Sequence, residues 1–228
     1  MRIDFDEDKH EYTVGGVKVP SVSDILAPLN ADRYGEINQA VLRSAAERGK
    51  AVHELCEAID YELDPEEVMP ELQGYVDAYY QFLFDHDVYW EMVEQIVGYY
   101  RGVDGEPPLY CGTIDRFGIV DGKAAVVDIK TYASMTTEAQ MTASCQTALY
   151  CSAILNGKPE SGIVHNNREW DGSMKRYILH LKRDGKYRLI DLANFDEKRG
   201  WNGTAVAWEL YDFYQQKQTA LAGKRGKK

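Results

Sequence analysis

The chain has 228 residues, 44% of them hydrophobic and 28% charged, with a formal net charge of -11. That length can bury a sizeable core as one large domain or two small ones, and the composition is ordinary for a soluble globular protein. The acidic balance argues against a protein that coats nucleic acid, which would be basic overall, but not against an enzyme that meets a polyanion in a local groove through bound cations.

In chain order, "HEYTVGGVKVP" predicts a short hairpin around Gly15-Gly16. "SVSDILAPL" follows as a helix start, with Ser21 or Ser23 as its N-cap. From Arg43 to Asp60 the pattern is helical, with Val52, Leu55, Cys56 and Ile59 on one face. Residues 64–87 predict another helix, with Leu72, Tyr75, Val76, Tyr79 and Leu83 on its apolar side. "YWEMVEQIVGYY" alternates like a strand, "RGVDGEPPLY" reads as a loop, and a hairpin follows over residues 112–131. "TTEAQMTASCQTALYCSAIL" is a helix ended by Asn156-Gly157 and Pro159. "SGIVHN" and "KRYILHLKRDGKYRLIDL" supply further strands, the latter turning at Asp184-Gly185. A last helix runs from about Gly203 to Gln218, and the basic tail, residues 220–228, is expected to be disordered. The whole reads as one alternating α/β domain over residues 1–219, with its core over about 10–190 and no repeat or linker to divide it.

No apolar run approaches the ~20 residues of a membrane span, and the N-terminal "MRIDFDEDKH" has no signal-peptide pattern. The expectation is a cytoplasmic protein with no membrane partner. Cys56, Cys111, Cys145 and Cys151 form no CxxC pair, which favours reduced, buried thiols over disulfides or a zinc knuckle.

The hairpin "GTIDRFGIVDGKAAVVDIKT" carries the chemistry. With Asp121 and Gly122 as a two-residue loop, Val120 pairs with Lys123. Continuing that register sets Asp115 directly opposite Asp128, where like charges are destabilising. Lys130, two residues past Asp128, shares that face, together with Phe117, Ile119, Ala124 and Val126. Ile114, Val120, Ala125, Val127 and Ile129 fall on the other face. Two carboxylates held in an apolar setting must protonate, pair with bases or bind a cation. A third acid stands on the preceding strand: Glu94, with Glu91 as the weaker alternative. Three converging carboxylates suit a hard divalent cation, Mg²⁺ or Mn²⁺. The competing reading is a salt-bridged hairpin whose face is partly solvated.

These residues also carry a resemblance. "GTIDRFG...VVDIKT" followed by "QTALY" resembles the RecB-type branch of the PD-(D/E)xK nuclease superfamily, which has a G-x-x-D strand, a D-x-K strand and then a helix with Q-x-x-x-Y. Here these are Gly112 to Asp115, Asp128 to Lys130, and Gln146 to Tyr150. "RGKAVHE" is similar to that branch's R-G-x-x-x-H helix, "VPSVSDIL" to a P-S-V-T-x-I-L segment of phage and mitochondrial members, and Glu94 stands where the branch has an acid before the hairpin. The resemblance spans residues 10 to about 155 and implies a restriction-endonuclease-like core, a mixed central sheet flanked by helices. No cysteine follows Cys151, which departs from the relatives that carry an iron–sulfur cluster, so none is expected. No phosphate-binding loop is present, so the resemblance is to a stand-alone nuclease module.

The resemblance further implies a Mg²⁺- or Mn²⁺-dependent deoxyribonuclease, an exonuclease of DNA processing or recombination in a bacterial or phage-infected cell. His53, Glu94, Asp115, Asp128 and the backbone carbonyl of Ile129 would hold one or two ions, and Lys130 would act with Glu94, Asp115 and Asp128 in catalysis. Gln146 and Tyr150 would contact the substrate backbone or support Lys130, and Arg48 would clamp a phosphate. The partners implied are DNA, single- or double-stranded, and a recombination or single-strand-binding protein. Taken residue by residue, His53 also reads as a surface or hydrogen-bonded histidine, Gln146 and Tyr150 as an ordinary polar helix face with a half-buried tyrosine, and Arg48 as a cap on local charge. Two other classes stay open: a catalytically silent nucleic-acid-binding module of the same fold, and a structural α/β protein whose hairpin acids make salt bridges.

Overall fold

The computed structural model describes residues 2–7, 9–34, 38–63, 65, 67–100, 105–156 and 174–225. A three-stranded antiparallel sheet opens the chain: β1 (Ile3–Asp6), β2 (Glu11–Val14) and β3 (Val17–Val19), in that order. The Gly15-Gly16 turn joins β2 to β3, both glycines having positive φ. The first strand is not foreseen from the sequence, although Ile3 and Phe5 alternate in it and pack beside Tyr12, Val14 and Val19.

Helix α1 (Val22–Tyr34) begins at a reciprocal cap. Ser21 Oγ accepts the Asp24 amide at 2.9 Å, and Asp24 Oδ2 accepts the Ser21 amide at 3.0 Å. That pair selects Ser21 over Ser23 as the cap. Helix α2 (Gln39–Asp60) turns Val52 and Cys56 inward, and α3 (Gln73–Asp85) buries Tyr75, Val76, Ala78, Tyr79 and Phe82. The latter starts later than the sequence suggests, because Pro70 has no amide to donate and the helix forms only beyond it.

The central sheet is five-stranded and mixed, in the order β4 (Val88–Tyr99), β5 (Tyr110–Val120), β6 (Lys123–Lys130), β7 (Lys175–Leu181), β8 (Tyr187–Asp191). Only β6 and β7 run parallel, joined across α4 (Thr137–Asn156). Helix α5 (Leu192–Arg199), unforeseen, is capped by the Asp191 side chain on the Asn194 amide and ends at left-handed Gly200. Helix α6 (Gly203–Arg225) closes the chain and corrects the expected tail. It continues through 220–225, where Ala220, Leu221 and Ala222 are strong helix formers. Residues 226–228, and the strand expected at "SGIVHN", lie outside the described residues.

Two hydrophobic layers sandwich this sheet. One contains Val22, Ile25, Phe117, Val126, Cys145, Leu149 and Ala207 under α1, α4 and α6; the other contains Val52, Tyr79, Phe82, Val120, Ala125, Val127 and Ile129 under α2 and α3. The β5–β6 register is the one the Asp-Gly turn dictates, Val120 with Lys123 through Arg116 with Val127. Asp121 and Gly122 both have positive φ, as a two-residue primed turn requires. One residue departs from the expected faces. Ile114 packs in the layer with Phe117 and Val126, not with Val127 and Ile129. Strict alternation cannot put residues three apart on one side, so the side-chain alternation of β5 breaks at Asp115-Arg116, while its pairing with β4 keeps one register there. No helix among the described residues is long and apolar enough to cross a membrane, and all four cysteines are free.

Candidate metal centre and adjoining groove

The break in the alternation of β5 lies where the ladder to β6 ends. The last pair is Arg116 with Val127. One step further, where Asp115 would oppose Asp128, the Ile129 amide donates to the Asp115 carboxylate at 2.7 Å instead of to a backbone carbonyl. Asp115 is thereby fixed between two strands that part. Its strand neighbour on the other side, Glu94 of β4, has a left-handed backbone with φ of 46°. A non-glycine residue in that region inside a strand carries strain. β4 also bulges between Trp90 and Met92.

Helix α2 brings His53 to these acids. One ligand atom each from His53, Glu94 and Asp115 lies within 4.8 Å of the other two, a cluster that could hold a metal ion. His53 Nδ1 is 3.1 Å from Glu94 Oε1, and His53 Nε2 is 3.2 Å from the Ile129 carbonyl and 3.8 Å from Asp115 Oδ2. Burial opposes the charged imidazole, but Asp115 and Glu94 outweigh it and raise the His53 pKa. The Ile129 carbonyl, within hydrogen-bond reach of His53 Nε2, also faces the cluster.

Asp128 stands beside this trio but outside it. It is 1% exposed, its Oδ1 accepts from Lys130 Nζ at 2.6 Å, and its Oδ2 has no hydrogen-bond partner. Burial pushes its pKa up to about 6, Lys130 pulling it down and Asp115 adding to the rise. Burial disfavours the Lys130 charge in turn, yet Asp128, Tyr132 and Asp115 raise its pKa, so it is held as an ammonium. An orphaned buried carboxylate oxygen calls for a proton, a water or a cation. Two carboxylates, a carbonyl and an imidazole make a donor set that fits a hard-to-borderline divalent ion.

A cavity of about 1050 Å³ opens beside the cluster. His53, Ile129, Lys130 and Arg48 stand on its wall, with Leu29, Val41, Leu42, Met141 and Trp201 giving it an apolar surface. Arg48 Nε is buried without a hydrogen-bond partner. Gln146 and Tyr150 are not on that wall. Tyr150 is 6% exposed and belongs to the core layer under α4, its hydroxyl bonded to Gln146. Its ring lies over Gly112, where an added Cβ would stand 2.7 Å from Tyr150 Cε1. The glycine is there because an aromatic ring approaches its backbone. The sequence leaves the Gln146 and Tyr150 pair to contact substrate or to support Lys130; in the fold Tyr150 packs behind the site, in the core layer under α4.

Several residues of the site are not evident from the sequence. Arg116 is wholly buried and donates to Asp60 Oδ2 at 2.6 Å, Glu94 Oε1 at 2.9 Å and the Asp115 carbonyl at 2.6 Å. Asp60 also accepts from the Tyr79 hydroxyl and from Trp90 Nε1. His180 of β7 pairs with Lys130 and donates Nε2–H to the Tyr132 carbonyl at 2.7 Å, bracing the segment just past the lysine. The available signal was an arginine inside the apolar run "IDRFGIV", as costly to bury as the acids beside it.

No protein-family profile and no curated protein matches the chain. Among solved structures it is similar to "Crystal structure of SSO0001", at 15% identity over 90% of this chain and 79% of that one, with a TM-score of 0.46.

Proposed function

We propose that the chain is a divalent-metal-dependent nuclease that hydrolyses DNA phosphodiester bonds, with a restriction-endonuclease-like core. The observation that carries the reading is the convergence of His53, Glu94 and Asp115 on one point, beside an Asp128–Lys130 pair whose lysine faces the same cavity. His53, Glu94, Asp115 and the Ile129 carbonyl would hold Mg²⁺ or Mn²⁺, with Asp128 as a further carboxylate nearby. The chemistry such an ion supplies when bound is Lewis-acid polarisation of a phosphoryl oxygen and a lowered pKa for water.

The chain's own residues do the rest. Lys130 is 17% exposed at its side chain, enough to meet a phosphate from the cavity while Asp128 keeps it charged. An ammonium fixed there stabilises negative charge that builds up on the phosphate oxygens. Arg48, on the same wall, offers a second cation for a neighbouring phosphate. The apolar remainder of the wall suits the faces of nucleic-acid bases. These local cations and the metal answer the conflict between a polyanionic substrate and a net charge of -11.

The test is incubation with end-labelled single- and double-stranded DNA in Mg²⁺, Mn²⁺ or EDTA, with products mapped. Metal-dependent cleavage that Asp115→Asn abolishes supports the reading. DNA binding without cleavage in any metal would leave the silent binding module in its place.

A further inference from the structure

The break in the alternation of β5 aims two consecutive residues at the same helix. Asp115 reaches His53 of α2, and Arg116 reaches Asp60 at the end of α2. Consecutive strand residues normally face opposite ways. The one amino group Arg116 Nη1 touches both halves of the candidate centre, the Glu94 carboxylate at 2.9 Å and the Asp115 carbonyl at 2.6 Å. Glu94 is the strained residue of β4, and a strained backbone persists only where its surroundings fix it.

Stability does not account for this guanidinium. Arg116 is 0% exposed, and its Nη2 has no hydrogen-bond partner. Buried ion pairs can often be exchanged for apolar side chains with no loss of stability, and a partly satisfied one is worse than an apolar core. What apolar residues could not do is hold the Glu94 carboxylate toward His53. The Tyr79 hydroxyl and Trp90 indole fix Asp60, Asp60 fixes Arg116 Nε, and the guanidinium plane then points Nη1 at the centre. The chain of contacts runs from α3 and β4 to the ligands.

Resting on the metal centre proposed above, we infer that Arg116 is a positioning residue: anchored by Asp60, it fixes the Glu94 carboxylate and the Asp115 main chain in the geometry that binds the divalent ion. The guanidinium offsets part of the ligand charge, but its holding of Glu94 outweighs that, so its loss weakens metal binding.

The test measures Mn²⁺ affinity by calorimetry, alongside the melting temperature in EDTA. It compares wild type, Arg116→Lys, and the double variant Arg116→Met with Asp60→Asn, which removes the buried charge pair together and keeps an acceptor for Tyr79 and Trp90. The expected result is a Kd raised tenfold or more in the double variant, with a metal-free melting temperature near that of wild type. Arg116→Lys, which keeps the charge but cannot span Asp60 and Glu94 as a planar fork, should fall between the two. A Kd within twofold of wild type, or a tighter one, in either folded variant overturns the role of Arg116 and leaves the centre standing. If the double variant does not fold, Arg116→Lys decides by the same criterion. No Mn²⁺ binding by wild type overturns the centre and this inference together.

Discussion

The Asp115 carboxylate accepts the Ile129 amide hydrogen at 2.7 Å, at the step where the β5–β6 ladder stops. A side-chain oxygen thus stands in for a backbone acceptor, and it keeps the strands apart where the candidate ligands gather. The Asp115 carboxylate thus serves the fold and also belongs to the cluster that could hold a metal ion, and substitutions separate the two.

Asp115→Asn retains an oxygen for the Ile129 amide and removes one charge from a crowded acidic cluster. The metal-free protein should melt at or above the wild-type temperature. Binding to the native state alone stabilises by about 2.7 kcal/mol at a hundredfold excess over Kd, and this response to Mn²⁺ or Mg²⁺ should be blunted in the variant. Asp115→Ala leaves the amide buried without an acceptor and should cost about 1–3 kcal/mol even without metal. Thermal melts of both variants in EDTA and in Mn²⁺ check this; an unimpaired metal response in Asp115→Asn removes Asp115 from the ligand set.

Lys130 separates chemistry from binding. An ammonium has donors and no lone pair, so it is not a metal ligand. Lys130→Gln keeps a donor for Asp128 and loses the charge. Single-turnover cleavage should fall about a hundredfold or more, comparable with the loss of one preorganised charge stabiliser, while Mn²⁺ affinity stays close to wild type. Asp128→Asn should lose cleavage and metal affinity together. Cleavage at the wild-type rate by Lys130→Gln would show that the motif is not catalytic.

Gly112→Ala tests the packing behind the site. Its Cβ would come 2.7 Å from Tyr150 Cε1 and 3.1 Å from Val22 Cγ2. Overpacking of this kind costs about 1–3 kcal/mol. Denaturant unfolding should show that loss, and pairing the change with Tyr150→Leu should recover part of it. A neutral Gly112→Ala would mean that the ring does not lie over this glycine.

Asp191 offers a pH test remote from the site. It caps α5 through the Asn194 amide and pairs with Lys175 at 2.9 Å. Burial raises its pKa, but the Lys175 hydrogen bond, the Asn194 amide and the Lys175 charge outweigh it and lower the value. A carboxyl with a depressed folded pKa adds stability above its unfolded pKa of about 3.9 and loses it as pH falls through the folded value. Asp191→Asn keeps a capping oxygen and removes the charge of a half-buried pair still in reach of solvent, so at pH 7 it should cost about 0.2–1 kcal/mol. Urea unfolding of both proteins from pH 7 to pH 3 should show that difference shrinking as the carboxyl protonates. A difference independent of pH would assign the effect to the cap alone.

How much of this was legible beforehand depends on the range of the signal. The β5–β6 register follows from Asp121 and Gly122, because a two-residue primed turn leaves one pairing for the residues beside it. The inward face of α2 follows from 3.6-residue spacing, which places Val52 and Cys56 in the core. That helices and strands alternate in one α/β unit follows from the alternation of the two periods along the chain; the mixed strand directions of the sheet do not. Asp115, Asp128 and Lys130 stood out as charges inside apolar runs. Other features depended on contacts that no local period encodes. Arg116 meets Asp60 across 56 positions, and His53 meets Glu94 across 41. The break in alternation that moves Ile114 to the opposite layer, the burial of Tyr150 over Gly112 and the groove beside Lys130 likewise depend on which surfaces close on one another. The sequence by itself determined the elements, the hairpin register and the acids that needed a partner. Tertiary packing decided which of those acids converge, and which buried cation holds them.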